Sequence, residues 1–201
     1  MARIAVVFGT TNGQTAKISR RIVEVLRTEG HVVELFDTGG SLPAFSLAGV
    51  EAAVIAGSVK MGKFPRPLTA FVQRHLDKLL GVPTAFVPVS LSAARKNSAS
   101  AQREVQKTTA RFIAETGLNP TIIQPTAGAL VYSRYGFFTR LMMQFISKMA
   151  GGDTDTSRDY EYTDWNAVDG FARQFADDTQ KLFGRAFPPA PVRHREQVIR
   201  A

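Results

Sequence analysis

The chain has 201 residues, 44% hydrophobic and 21% charged, which is enough for one domain with a sizeable buried core. It contains no cysteine, so disulfides, thiolate metal sites and cysteine nucleophiles are excluded, and a reducing compartment suits it. Its net charge of +8 favours anionic partners such as acidic substrates, anionic lipid headgroups or nucleic acid.

Met1-Ala2-Arg3 runs straight into Ile4-Ala5-Val6-Val7-Phe8, too short for a secretory apolar region. No run reaches about 18 apolar residues, so no membrane span is expected and a cytoplasmic location is. Strands and helices then alternate. Residues 3–9 (RIAVVFG) predict a buried central strand closed by glycine. Residues 14–29 place Ile18, Ile22, Val25 and Leu26 on one helical face, with Gly30 where a helix stops. Residues 31–36 and 51–57 predict the next two strands. Residues 66–80 carry Leu68, Phe71, Val72, Leu76, Leu79 and Leu80 at the spacing of one amphipathic helix, with Pro65 and Pro67 at its start. Residues 83–91 predict a strand in which Pro88 argues against a regular ladder. Residues 100–116 predict a helix with Val105, Phe112 and Ile113 on one face, and 121–131 a fifth strand.

Five strands separated by helices imply an α/β fold, a doubly wound parallel sheet with helices on both faces. Ligands of such sheets bind at the carboxyl ends of the strands, which the loops 9–15, 58–65 and 90–99 leave. After the fifth strand the pattern changes to a helical and loop insertion over 132–163. It contains an aromatic turn, an apolar helix to Ala150 and the run Gly151-Gly152-Asp153-Thr154-Asp155-Thr156. A last helix starts near Thr163 or Asp164, both good N-caps, and aligns Val168, Phe171, Phe175 and Leu182. The expected domain covers 1–183. Residues 184–201 form a proline-rich, then basic tail for which weak order is expected.

The turn Gly9-Thr10-Thr11-Asn12-Gly13-Gln14-Thr15 joins a buried strand to a helix. Main-chain N–H groups at a helix start favour an anion, and Gly9 and Gly13 permit a tight turn with close backbone approach. The candidate phosphate ligands are Thr10, Thr11, Asn12, Gly13, Gln14 and Thr15. A Walker A loop needs lysine where Gln14 stands, and a dinucleotide fingerprint needs a third glycine. An uncharged donor set suits a permanently held phosphate monoester better than a nucleotide undergoing phosphoryl transfer. A plain strand–helix turn with a hydroxyl cap has the same residues.

The pattern Gly-Thr-x-x-Gly-x-Thr after a first strand resembles the FMN phosphate loop of flavodoxins, and the resemblance extends through residue 131. It implies a flavodoxin-like five-stranded sheet and FMN, with the flavin ring between two loops. One loop supplies Ser58, Val59, Lys60, Met61, Gly62 and Lys63. The other supplies Ser90, Leu91 and Ser92, followed by Arg95 and Lys96. Lys60 or Lys63 could stabilise a reduced anionic flavin or simply be solvated. The second loop has no tryptophan or tyrosine to stack on the ring, which leaves that side open.

Further strings are more specific. Ala127-Gly128-Ala129-Leu130, Tyr132-x-Arg134-Tyr135, Gly151-Gly152-x-Thr154-Asp155-Thr156 and Tyr162-Thr163-Asp164-Trp165 resemble the menaquinone-dependent protoporphyrinogen IX dehydrogenase family, as do Asn12-Gly13-Gln14-Thr15 and Gly57-Ser58-x-x-x-Gly62. The resemblance covers roughly 3–183. It implies six-electron oxidation of protoporphyrinogen IX in heme synthesis, in three flavin cycles, with a membrane quinone as final acceptor. The positive charge suits both the substrate propionates and an anionic bilayer, so peripheral attachment to the inner face of the membrane is an expectation. Arg95, Arg134, Tyr135 and Arg140 are the candidate substrate contacts, the arginines as guanidinium forks for carboxylates or as ordinary surface charge. The stripe Phe137, Phe138, Leu141, Met142, Phe145, Ile146 and Met149 suits a core face or a helix resting on a membrane.

The chain departs from that family at Met61, where an aromatic residue is common, and at Val131, where arginine is. Asp153, Asp155, Asp159 and Asp164 do not have EF-hand spacing, and His31, His75 and His194 are scattered, so no metal site is expected. Two other readings use the same fold. Flavodoxin-type electron carriers are typically acidic, unlike this chain. A quinone reductase fed by a nicotinamide cofactor would lack a second nucleotide fingerprint. No nucleic-acid reading motif is present, and no acid or base is identifiable. The oligomeric state stays open, a homo-oligomer included.

Overall fold

The computed structural model describes residues 1–40, 47–130 and 159–186. Its sheet runs in the order β2 (Val32–Asp37), β1 (Arg3–Gly9), β3 (Ala52–Ser58), β4 (Thr84–Ser90), β5 (Ile122–Ile123), all parallel. β1, β3 and β4 are buried along almost their whole length, as apolar runs are in a sheet covered on both faces. Alternation sorts the two cores. Ile4, Val6 and Phe8 face Ile18, Ile22 and Leu26 of α1 (Gln14–Thr28) and Phe171 and Phe175 of α5 (Trp165–Ala186). Ala5 and Val7, with Ile55 and Phe86, face Phe71 and Val72 of α2 (Arg66–Arg74) and Phe112 of α4 (Ala99–Thr116). α1 and α5 are also tied by Arg21, whose guanidinium donates two hydrogen bonds to Asp169 at 2.7 and 2.6 Å.

Two expected elements are broken. The helix expected over 66–80 ends at His75 (φ −110°, ψ 17°), and a five-residue helix, α3 (Leu76–Leu80), follows. The single strand expected over 121–131 is three pieces. β5 pairs with Ala85 and Phe86, and β6 (Thr126–Ala127) with Val89 and Ser90. β7 (Ala129–Leu130) leaves the sheet and pairs antiparallel with β8 (Tyr160–Glu161).

Two prolines account for the break between β5 and β6. The carbonyls of Thr84, Phe86 and Ser90 all point to this edge, accepting from Thr121, Gln124 and Gly128. By the two-residue period Pro88 faces the same edge with no N–H to give, and Pro125 has none to return. β4 itself stays regular because its other edge, toward β3, does not need the Pro88 N–H.

The final helix starts as expected, with Asp164 rather than Thr163 as its cap, since Asp164 Oδ1 accepts from Ala167 N at 3.0 Å. The expected insertion helix, Arg134, Tyr135 and Arg140, and the tail from 187 onward lie outside the described residues.

Candidate functional site

β1 has β2 on one side and β3 on the other, so the direction of winding reverses between β1 and β3 and leaves a crevice at their carboxyl ends. β1 ends there in Gly9 and β3 carries Gly57 as its penultimate residue, each at a point where a side chain would collide. A Cβ on Gly9 would lie 2.9 Å from Leu68 Cβ, and one on Gly57 would lie 2.6 Å from Phe64 Cδ1. The glycines let the loop after β3 and the start of α2 close against the strand ends.

The turn after β1 is shaped by Gly13, which takes the left-handed conformation at φ 91° and donates its N–H to Thr10 Oγ1 at 3.0 Å. α1 begins at Gln14, and its first intrahelical bond across the turn is Lys17 N to Gly13 O. The N–H groups of Gln14, Thr15 and Ala16 therefore have no carbonyl one turn earlier to bond. Beneath them Thr15 is 1% exposed, and its Oγ1 is buried with no hydrogen-bond partner. A buried hydroxyl without a partner is costly unless something supplies one. Thr11 Oγ1 lies 3.2 Å from Ser58 Oγ and links this turn to the next loop. Lys17, the first cation after the turn, is paired with Glu161 at 3.1 Å. The donors thus remain uncharged, and they fit a terminal phosphate.

The loop after β3 is a tight hairpin. Lys60 and Lys63 exchange both main-chain hydrogen bonds, at 2.9 and 3.0 Å. Met61 (φ 50°) and Gly62 (φ 71°) form its two-residue tip, both left-handed, as a type I′ turn requires. Left-handed geometry is uncommon for a residue with a side chain, and here it holds Met61 83% exposed. Val59 N donates to Val89 O, fixing the hairpin base to β4. A cavity of about 460 Å³ lies between the two loops, lined by Thr11, Lys60, Met61, Lys63, Phe64 and Pro65. The loop after β4 contributes none of this lining; it turns through a short 3₁₀ segment (Ser92–Ala94). There Ser90 Oγ accepts from Ala93 N, and Ser92 Oγ donates to Glu104 at 2.7 Å. Leu91 is half-buried and Arg95 exposed.

Sequence reasoning missed a strut on the far side of the turn. Gln14 Nε2 donates to Thr163 Oγ1 at 2.9 Å, and Thr163 Oγ1 donates to Ala127 O at 2.8 Å. Gln14 therefore aims its side chain at the strut, and its main-chain N–H is what it can offer a phosphate. Glu161 is shared between Lys17 and Trp165 Nε1. Burial pushes its carboxyl up, but hydrogen bonds from Lys17, Trp165 and Gln14 outweigh this and hold it below the usual carboxylate range. Asp164 is held low by the Ala167 N–H and by Lys96, which reaches it from the loop after β4 at 3.3 Å. The string Tyr162-Thr163-Asp164-Trp165 was visible in the sequence, but its contact with Gln14 spans 149 residues. Among the described residues no three His, Asp or Glu side chains gather as a metal site.

A family model described as flavodoxin domain matches residues 5–157. A Leishmania major protein named protoporphyrinogen IX dehydrogenase [quinone] is 33% identical over 189 residues, covering 92% of this chain and 77% of that one. The Escherichia coli K12 protein of the same name is 30% identical over 176 residues, covering 88% and 96%. Flavodoxin 1 from Bacillus cereus superposes with a TM-score of 0.53 at 14% identity, over 88% of this chain and 98% of its own. A flavodoxin from Streptococcus pneumoniae TIGR4 gives 0.52 at 15%, over 88% and 99%. These two likenesses show the fold.

Proposed function

The chain belongs to the flavodoxin domain family and, within it, groups with the protoporphyrinogen IX dehydrogenases, and we propose that it oxidises protoporphyrinogen IX with a quinone as electron acceptor. Its cofactor is FMN. One observation carries the choice of reaction: relatives of that name are 30–33% identical over 88–92% of the chain, about twice the identity of the flavodoxins that share its fold over a similar span. The net reaction moves six hydrogens, from one protoporphyrinogen IX to three quinones, giving protoporphyrin IX and three quinols.

Bound FMN supplies a two-electron acceptor that a quinone can reoxidise. The residues of the chain bind and orient. In this reading the N–H groups of Gln14, Thr15 and Ala16 and the side chains of Thr10, Thr11, Asn12 and Thr15 hold the phosphate, with Gly13 shaping the turn. The partnerless Thr15 hydroxyl supports that assignment, because a phosphate oxygen would satisfy it. Ser58 to Lys63 and Ser90 to Ser92 flank the ring. Lys60 and Lys63, on a hairpin pinned by paired main-chain bonds, keep positive charge where negative charge accumulates on reduction. Arg95, Arg134, Tyr135 and Arg140 remain proposed substrate contacts.

The net charge of +8 favours approach to an anionic leaflet, where a lipid quinone resides, and peripheral attachment there is part of the proposal. No helix among the described residues is long and apolar enough to cross a membrane. The test is anaerobic. The purified yellow protein is mixed with protoporphyrinogen IX and menadione, and porphyrin fluorescence is followed against menadiol formed. Three quinols per porphyrin are expected. A flavin that protoporphyrinogen cannot reduce, or that reoxidises only through a protein partner, would overturn the reading.

A further inference from the structure

A second cavity, also about 460 Å³, opens on the other side of the 60–63 hairpin, between α2 and α4. Lys63 and Phe64 line both cavities, so the hairpin is a shared wall rather than a boundary between distant sites. Phe64, half-buried, is the ring that the second cavity exposes, and it rests on core aromatics. Phe64 packs on Phe112 with ring centroids 4.6 Å apart, and Phe112 stacks on Phe86 at 4.7 Å. Its rim carries three cations, Lys63 from the hairpin, Arg66 from the first position of α2 and Arg111 from the fourth turn of α4, and one carboxylate, Glu115.

None of the ion pairs among the described residues includes Lys63, Arg66 or Arg111. Arg3, Lys17, Arg21, Lys96, Arg173 and Lys181 meet carboxylates, and several other cations among the described residues do not; what sets Lys63, Arg66 and Arg111 apart is that three cations without an ion pair line one groove. Glu115, on the same rim, offers its main-chain carbonyl to Gln73 Nε2 at 3.0 Å. Arg111 Nη1 donates to Gly62 O at 3.4 Å, which orients the guanidinium toward the hairpin tip while leaving its other N–H groups available.

Three cations against one carboxylate, Glu115, beside the half-buried Phe64 ring and sharing a wall with the first cavity, leave a net positive groove that suits an anionic group on a large apolar ligand. We infer that this groove holds a propionate carboxylate of the tetrapyrrole, with Arg66 and Arg111 as its anchors, while the macrocycle extends past Met61 toward the first cavity. The inference rests on the proposed reaction for the identity of the ligand. Guanidinium suits the task because its planar fork matches a carboxylate and stays charged at any physiological pH. Arg66 and Arg111 are exposed side chains on helix surfaces, so their replacement leaves both cores untouched.

The experiment compares the FMN-loaded wild type with Arg66→Gln, Arg111→Gln and the double variant. Lys78→Gln is the control; it removes the same charge at α3, beside the opposite end of the sheet. Each is assayed with protoporphyrinogen IX and with its dimethyl ester, which lacks free carboxylates. Binding of protoporphyrin IX and of its dimethyl ester is measured separately by fluorescence. The single variants should raise KM for the acid about 10-fold with a much smaller change in kcat, while the ester and Lys78→Gln behave like wild type. An unchanged KM for the acid, or an equal loss with acid and ester, overturns the groove but not the reaction. If the wild type turns over neither substrate, arginine-dependent binding of the acid porphyrin would still support the groove while the reaction fails. Binding to vesicles containing phosphatidylglycerol is the last arm. Variants that lose vesicle binding but keep the acid–ester difference would assign these cations to lipid, and overturn the inference.

Discussion

Thr163→Val tests whether the strut shapes the phosphate turn. Valine keeps the volume and branching of threonine but removes the hydroxyl that accepts from Gln14 Nε2 at 2.9 Å and donates to Ala127 O at 2.8 Å. Each neutral hydrogen bond contributes about 0.5–1.5 kcal/mol net, and a group left buried without a partner costs roughly 1–3 kcal/mol. Gln14 is 6% exposed and Ala127 8%, so water replaces the lost hydroxyl poorly at both ends. Together these give a destabilisation of about 2–3 kcal/mol. Only the part that lets the first turn of α1 shift will appear in ligand affinity. If half of the cost does, FMN dissociation rises about 10-fold, since about 1.4 kcal/mol is one decade.

The discriminating measurement titrates apoprotein with FMN and with riboflavin, which lacks the phosphate, by quenching of flavin fluorescence. Thr163→Val should weaken FMN and leave riboflavin nearly unchanged, and Thr163→Ser should restore FMN because serine keeps the relay. Equal losses for both flavins would mean the site has loosened as a whole. Unchanged FMN affinity in a protein whose melting temperature has dropped would mean that the strut supports the fold only. Either outcome refutes the reasoning.

Thr15→Val should separate stability from affinity. The apoprotein should melt at the same temperature or higher, because a partnerless buried hydroxyl is removed, while FMN binding weakens roughly 10- to 100-fold through loss of a hydrogen bond to a charged group. Gly57→Ala should cost about 1–3 kcal/mol in urea unfolding, because the added Cβ would meet Phe64 at 2.6 Å and Leu68 at 2.7 Å. His31 is 5% exposed, and its pKa is depressed by burial and then by the N-terminal charge, so the unfolded chain takes up its proton first. That contribution to stability is therefore whole above the ordinary value of 6.5 and is lost as pH falls from there through the lower folded value. His75, depressed by burial and by Arg74, adds the same sign, and His31→Gln should flatten but not abolish the slope of melting temperature against pH.

How much of this was legible in the sequence depends on the range over which each feature is determined. β1, β3, β4, α1 and α4 follow from local pattern, and their observed bounds differ from the expected ones by a residue or two. The phosphate turn was legible for the same reason, since glycines, hydroxyls and a helix start lie within seven consecutive residues. The broken fifth strand was not. Pro88 reads as an irregularity of its own strand, but its effect falls on the neighbouring edge, where Pro125 interrupts the chain between β5 and β6, a juxtaposition that only the folded sheet creates. The cationic groove was hidden likewise, because Lys63, Arg66 and Arg111 belong to three separate elements.

The strut shows what a resemblance can and cannot convey. Tyr162-Thr163-Asp164-Trp165 is a distinctive string in the sequence, which by itself assigns it no contact. In the fold each of its last three residues has a separate task. Thr163 joins α1 to β6, Asp164 caps α5 and meets Lys96, and Trp165 holds Glu161 against Lys17. All three tasks converge on the two segments that border the flavin crevice, the turn after β1 and the loop after β4. The segment that returns the chain to the sheet after 131–158 is therefore bonded to both sides of the proposed cofactor site. A replacement inside 131–158 that alters FMN affinity would have to act through this segment or by direct contact. Combining it with Thr163→Val distinguishes the two: effects that act through the strut should not add, and a direct contact should.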